Sequence, residues 1–290
     1  MSQFFQLLLK DHHYLMLVSH IHQGLTIDVD KNIDERFSIY KILLSIMKHK
    51  SQILFPANEH IYCPVFLQDK WGYISKVPHL FLPSLRISTD IDKKNLRRLF
   101  YSPECQKFLQ NNNEEENGWI VKLPFTTNQI YKKKDSVNTL FEYIGTLIEK
   151  VKKAIPYIFI QACLQNRKEW KVICYNGIPQ HILIKKSSRK CTAEVGNIKD
   201  ITFKNELMDF ARNANVELAC NCPAFLISGE TRVDIMYCAY LQKYVVNEFE
   251  SLEALWETSN VSENNNFHNS MVNYWHGQLM SICKDLNVLK

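Results

Sequence analysis

The chain has 290 residues, of which 46% are hydrophobic and 22% charged, with a formal net charge of +5. That is enough chain to bury a sizeable core, long for one compact domain, and ordinary in composition for a soluble globular protein. The mild basic balance permits a phosphate-bearing partner without requiring one, whereas the eight glycines exclude the glycine-clustered GxGxxG and Walker phosphate loops.

The nine cysteines are scattered. There is no CxxC pair, and Cys220-Asn-Cys222 lacks the spacing of a usual zinc knuckle. They read as reduced, mostly buried thiols of an intracellular protein. The opening Met-Ser-Gln-Phe-Phe-Gln has neither a basic n-region nor a small-residue cleavage site, and no apolar run approaches the roughly 20 residues of a membrane span. A cytoplasmic or nuclear location is expected.

Residues 1–50 carry apolar residues at helical spacing (Phe4, Leu7 and Leu8, then Phe37 to Met47). His12, His13, His20 and His22 have no acidic or cysteine partner at ligand spacing and read as surface or capping residues. In residues 52–84 short apolar runs are broken by Pro56, Pro64, Pro78 and Pro83, which predicts strands and loops. Asp90 to Leu109 returns to a helical pattern. The polar segment Asn111 to Gly118 has nothing to bury and marks a boundary.

Trp119-Ile-Val-Lys122-Leu-Pro124 predicts a short strand. A polar turn at Thr126-Thr-Asn128 leads to Tyr131-Lys-Lys-Lys-Asp135, a basic loop that suits either a solvated face or a polyphosphate. Ser136 to Lys153 is an amphipathic helix, with Leu140, Phe141, Ile144, Leu147, Ile148 and Val151 on one face. Tyr157 to Cys163 predicts a buried strand. Glu169 to Gly177 is a strand ending in an Asn-Gly turn, and Gln180 to Lys186 returns beside it. Phe203 to Ala214 is a helix. Ser251 to Thr258 starts another, and residues 261–290 give a polar loop and a terminal helix with Trp275, Leu279, Ile282 and Leu286. No internal repeat is present.

The stretch Arg232 to Cys238 alternates Val233, Ile235 and Tyr237 with Arg232, Asp234 and Met236, the period of a half-buried strand. Lys243 to Glu250 answers it. A turn near Leu241 sets Asp234 opposite Glu248 and Arg232 opposite Glu250, all four on one face. Opposed carboxylates repel, so positive charge must lie between them. The hairpin alone leaves two sources open: a hard cation such as Mg2+ carrying a nucleotide's phosphates, or Arg232 on a solvated face.

In order, then, come a strand lysine, a basic loop and helix, a strand running into a linker, a hairpin with a turn glycine, a helix and the acidic hairpin. From about Trp119 to Trp256 this order resembles the ATP-grasp superfamily, in its carboxylate-amine or thiol ligase branch. The resemblance implies an α+β fold in which two α+β lobes close on a nucleotide, after an N-terminal α/β region and before a C-terminal helix. It divides the chain into residues 1–110 on the substrate or partner side, a small lobe at 118–165, a large lobe at 166–260 and a tail at 261–290.

Residue by residue, Lys122 is similar to the strand lysine that touches ATP phosphates, and Thr126 and Thr127 stand in the phosphate loop. Gln161, Cys163 and Leu164 resemble the linker that reads adenine. Lys171, in Glu169-Trp-Lys-Val, resembles a cation facing the phosphate or acyl group, and Lys185 or Lys186 falls where a further cation is found. Arg232 is placed to contact the acceptor. Asp234, Glu248 and Glu250 resemble the metal set. Three departures mark a divergent member: the loop Pro124-Phe-Thr-Thr-Asn-Gln has no glycine, Glu250 replaces asparagine, and Ser251-Leu-Glu replaces a Ser-Pro turn.

The implied activity is that of an ADP-forming ligase using ATP and Mg2+ to activate a carboxylate as an acyl phosphate for an amine or similar nucleophile. An ATP-dependent kinase is its variant. The alternative on the same fold is a catalytically inactive nucleotide-binding or protein-interaction protein. A nucleic-acid module using Lys132–Lys134, Lys150 and Lys152–Lys153 is disfavoured, because 35 basic against 30 acidic residues leave a weak electrostatic footprint.

Overall fold

The computed structural model describes residues 70–112, 118–123, 131–133, 136–152, 156–164, 168–185, 193–195, 198–221 and 230–250, with positions 269, 270, 272–274, 276, 277 and 280. The helices expected in residues 1–50, their four histidines, Thr126, Thr127, Lys186 and the helix expected at Ser251–Thr258 lie outside the described residues, as do Trp275, Leu279, Ile282 and Leu286. Among the described residues, no helix is long and apolar enough to cross a membrane.

Two antiparallel sheets organise the chain. The first has four strands in the order β1-β4-β2-β3: β1 (Ser84–Ser88), β2 (Trp119–Lys122), β3 (Tyr131–Lys133) and β4 (Tyr157–Ala162). Its helices are α2 (Lys93–Phe100), α3 (Pro103–Asn111) and α4 (Val137–Val151). Each begins on a side chain that satisfies an orphan backbone N–H: Asp92 accepts from Asn95 N, Ser102 from Cys105 N and Ser136 from Thr139 N, caps worth about 1 kcal/mol each. The apolar face of α4 buries Leu140, Ile144, Leu147 and Val151 with Leu96, Phe100, Leu109, Trp119, Val121, Ile158 and Ile160 in one core.

The second sheet has five strands in the order β7-β6-β5-β8-β9: β5 (Glu169–Tyr175), β6 (Ile178–Lys185), β7 (Ala193–Val195), β8 (Glu230–Cys238) and β9 (Lys243–Glu250). The turn from β5 to β6 is Asn176-Gly177, both at positive φ (51° and 74°), the conformation that matches the twist of a two-residue hairpin. Helix α5 (Ile201–Asn221) lays Leu207, Ala211, Ala214 and Leu218 against Val172, Cys174, Ile182, Val233, Ile235, Val246 and Phe249. Helix α1 (Lys70–Ile74) and the 3₁₀ turn Pro78–Leu80 add Tyr73, Ile74, Val77, Leu80 and Phe81 to this same core.

Several local expectations give way to tertiary packing. The proline-broken region expected to be strands and loops contains α1, whose Tyr73 is fully buried. Tyr131–Lys133, expected as a loop, pairs with Trp119–Val121, because β2 offers it an open edge. Phe203–Ala214 extends to Ile201–Asn221. Tyr237, assigned to the buried face, is 48% exposed and Met236 is buried, because the hairpin's end meets the other sheet through Met236, Val245, Leu82 and Leu164. The polar boundary near residue 110 does not separate two cores, since α2 and α3 before it pack with β2 and α4 after it.

Gly145 sits within α4, and a Cβ there would meet only Leu96 Cδ2 at 3.9 Å, an ordinary contact. Gly145→Ala is therefore expected to raise stability by about 0.5–1 kcal/mol, through helix propensity and a less flexible unfolded chain. An increased urea midpoint at unchanged m-value is the readout.

Candidate active site

On the face of the five-stranded sheet turned away from α5, strand period two collects the polar residues of three adjacent strands. β5 contributes Glu169 and Lys171, β8 contributes Arg232 and Asp234, and β9 contributes Glu248. Lys171 pairs in register with Asp234, Asp234 with Glu248, and Arg232 with Glu250. The opposition foreseen from the alternation is present. A β-bulge lies between Asp234 and Ile235, where the partner residue jumps from Glu248 to Val246. Asn247 is the extra residue, and the bulge turns its side chain into the cluster while the two residues before it, Val245 and Val246, stay buried.

Asp234 has no exposed surface. Arg232 Nε donates to its Oδ1 at 2.6 Å, Arg232 Nη2 donates to Oδ2 at 2.9 Å, and Lys171 Nζ donates to Oδ2 at 2.7 Å. Lys171 also lies 3.2 Å from Glu169 Oε1. Asn247 Nδ2 donates to Glu169 Oε2 at 3.2 Å, and Lys122 Nζ, arriving from β2 of the other sheet, donates to Asn247 Oδ1 at 3.2 Å. Lys70 Nζ, from α1, lies 2.5 Å from Glu248 Oε2. The chain of contacts from Lys122 through Asn247, Glu169, Lys171 and Asp234 to Arg232 thus spans both sheets, and the Lys70–Glu248 pair lies beside it in register with Asp234.

The electrostatics follow from this arrangement. Burial alone would lift the Glu248 carboxyl, but the ammonium groups of Lys70 and Lys171 and the guanidinium of Arg232 overcome it and hold the group well below the usual carboxylate range. For Lys171, burial and Arg232 both act to lower the ammonium's pKa, and Asp234, Glu169 and Glu248 outweigh them and raise it. Four cations (Lys70, Lys122, Lys171 and Arg232) meet three carboxylates (Glu169, Asp234 and Glu248).

Of the residues expected in the site, Lys122, Lys171, Arg232, Asp234 and Glu248 come together. Glu250 pairs by backbone with Arg232. Lys185 ends β6. The side chains of both lie outside the described residues. Gln161 lies on the same face of the four-stranded sheet as Lys122, because Ile120 opposes Gln161 and Lys122 opposes Phe159, and its Nε2 donates to Ser84 Oγ at 2.8 Å across the β1–β4 pair. The Cys163 N–H donates to the Gly118 carbonyl at 3.0 Å. Leu164 packs with Leu82, Met236 and Val245, an apolar patch beginning two residues along β8 from Asp234.

Two members were missed from the sequence. Lys70 is a lone lysine ahead of Trp71, Tyr73 and Ile74, and its burial at 8% exposure is the property that a charged residue in an aromatic run advertises. Asn247 has no place in the alternation of β9, because a bulge does not show in an alternation pattern.

A divalent cation suits the donor chemistry of Asp234 and Glu248, two opposed carboxylates that already draw ammonium groups to themselves. Among the described residues, no three His, Cys, Asp or Glu side chains converge as a ready-made metal cluster.

No family model matches the sequence, and no curated protein matches it. Solved structures do match the fold. The D-alanine–D-alanine ligase from Bacillus anthracis in complex with ATP has a TM-score of 0.50 at 12% identity, over 76% of this chain and 68% of that one. A second crystal structure of the Bacillus anthracis ligase gives the same TM-score and identity over 85% and 76%. D-cycloserine synthetase DcsG gives 0.50 at 12%, over 77% and 78%. The fold shared with them is the divergent ATP-grasp fold, α+β in class.

Proposed function

We propose that this chain is an ATP-dependent ligase that activates a carboxylate as an acyl phosphate and passes the acyl group to an amine or similar nucleophile. The observation that supports it is the network of charged side chains joining the two sheets of an ATP-grasp fold, with Lys122 on one side and Lys171, Arg232, Asp234 and Glu248 on the other. In this reading the triphosphate lies against Lys122 and Lys171, and the adenine lies toward the apolar patch of Leu164, Met236 and Val245.

Asp234 and Glu248 are the residues that would hold Mg2+, with Glu250 the further candidate on β9. When bound, that ion supplies neutralisation of the phosphate oxygens. The chain's own groups do the rest. A substrate carboxylate oxygen attacks the γ-phosphorus while the bond to ADP breaks, and Lys122 and Lys171 stabilise the negative charge on the moving phosphoryl group. The nucleophile then attacks the acyl carbon, and phosphate leaves. Arg232 positions Asp234 through two hydrogen bonds and lines the side from which the acceptor would come. No covalent intermediate on the protein is needed.

A second reading has its own observation. Every oxygen of Asp234 is already bonded within the protein and the residue is fully buried, as suits a nucleotide-binding protein that does not turn over. ATP binding without ADP release in the presence of candidate acceptors would mark that case.

Thermal unfolding with MgATP, MgADP or a non-hydrolysable analogue tests nucleotide binding directly. A ligand at about 100 times its dissociation constant adds about 2.7 kcal/mol, expected here as a rise of several degrees. Lys122→Met is expected to abolish the rise. A wild-type curve unmoved by every nucleotide rejects the reading.

A further inference from the structure

Asp234 and Glu248 face each other across β8 and β9, and both are already compensated by cations of the protein. The compensation comes from two kinds of group. Arg232 stands two residues from Asp234 on the same strand and grips it with a planar fork. Lys171 and Lys70 arrive from β5 and α1, each as a single ammonium on a flexible stem, 2.7 Å from Asp234 Oδ2 and 2.5 Å from Glu248 Oε2. An ammonium on such a stem is a compact point charge that can change partners with little rearrangement of backbone. The two lysines occupy the position that a hard divalent ion would take by charge and by ligand chemistry.

We propose that Lys70 and Lys171 are placeholder cations, which neutralise the Asp234–Glu248 pair in the nucleotide-free protein and exclude a free divalent ion until a polyphosphate draws the ammonium groups away. Free carboxylates set metal affinity largely through their charge. With an ammonium on each, that charge is spent, and a metal arriving alone meets repulsion from Lys70, Lys171 and Arg232 together. A metal arriving with a polyphosphate brings a better partner for the lysines, so the carboxylates are released as the ion reaches them. Binding is thereby ordered, and free metal at cellular concentration does not occupy the site. The release step rests on the nucleotide reading above. The exclusion of free metal rests on the geometry alone.

The experiment is a titration of Mn2+ into the nucleotide-free full chain, following loss of the free-ion EPR signal, with wild type, Lys70→Met, Lys171→Met, and the charge-keeping Lys70→Arg and Lys171→Arg. Wild type is expected to bind no Mn2+ below about 1 mM. Each methionine variant is expected to gain about tenfold or more in affinity, and each arginine variant to stay close to wild type. Lys70→Met keeps the question answerable if Lys171→Met does not fold, because Asp234 then retains both of its cations. Wild type binding Mn2+ as tightly as the methionine variants, or neither methionine variant gaining, overturns the proposal. An ATP-induced thermal shift with no Mn2+ gain removes the placeholder role alone. A Mn2+ gain with no ATP shift removes the nucleotide reading and leaves the exclusion of metal standing.

Discussion

Asp234→Leu is expected to cost about 3–5 kcal/mol of folding stability, the penalty for leaving buried charges without their partner. The side chains of Arg232 and Lys171 are 6% and 12% exposed, so neither can regain much water in the folded state. Lys171 keeps Glu169 at 3.2 Å, but Arg232 loses the acceptor of both its hydrogen bonds to Asp234. The unfolding temperature should fall on the order of 10 °C. The triple change Arg232→Met, Lys171→Met and Asp234→Leu should recover much of that loss, because an ion cluster replaced by apolar groups of similar volume is often neutral or stabilising. The sum of the three single costs will then far exceed the cost of the triple variant, the non-additivity of residues acting as one unit. A single-variant loss below about 1 kcal/mol would mean that water reaches the cluster, contrary to its burial.

What the sequence made legible is what period and turn chemistry encode. The β8–β9 register was readable because Val233 and Ile235 alternate with Arg232 and Asp234, and because the break between strands is short enough to fix which residues oppose. Asn176-Gly177 announced its own turn. The order of strand lysine, linker, hairpin, helix and acidic hairpin pointed to the ATP-grasp fold, which the solved structures share. Contacts set by tertiary packing were not legible. Nothing local ties Lys70 to Glu248, 178 residues away, or Lys122 to Asn247, 125 residues away. Gln161 sits where a linker reader was expected, and its bond to Ser84 on β1, 77 residues away, has no local signal in the sequence. Asn247 owes its direction to a bulge, and a bulge is a defect in the very pattern used to read the strand.

Phe249→Ala, the second large effect, is expected to lower stability by about 3–5 kcal/mol and to undo the placement of Lys70 in the fraction that stays folded. Phe249 follows Glu248 on β9, so strand alternation sends its ring to the opposite face, into the core beneath α5. There it meets Tyr73 edge-on at 5.7 Å and Phe81 at 6.1 Å, while Tyr73 and Phe81 stack at 5.3 Å. Tyr73 is three residues from Lys70 on α1, a five-residue helix too short to hold itself together in water. That aromatic contact helps to seat it, beside Trp71 against Tyr157 and Phe159 and Ile74 in the same core, and the Lys70–Glu248 pair follows from the seating. Phe249→Leu keeps most of the apolar volume and should cost less than the alanine change while leaving Lys70 in place. Phe249→Ala and Lys70→Met should therefore be coupled in a double-mutant cycle, by about 0.5–3 kcal/mol, as read from urea unfolding of the four proteins. Additive costs would show that α1 reaches Glu248 without help from the aromatic cluster, and that core and site are built independently.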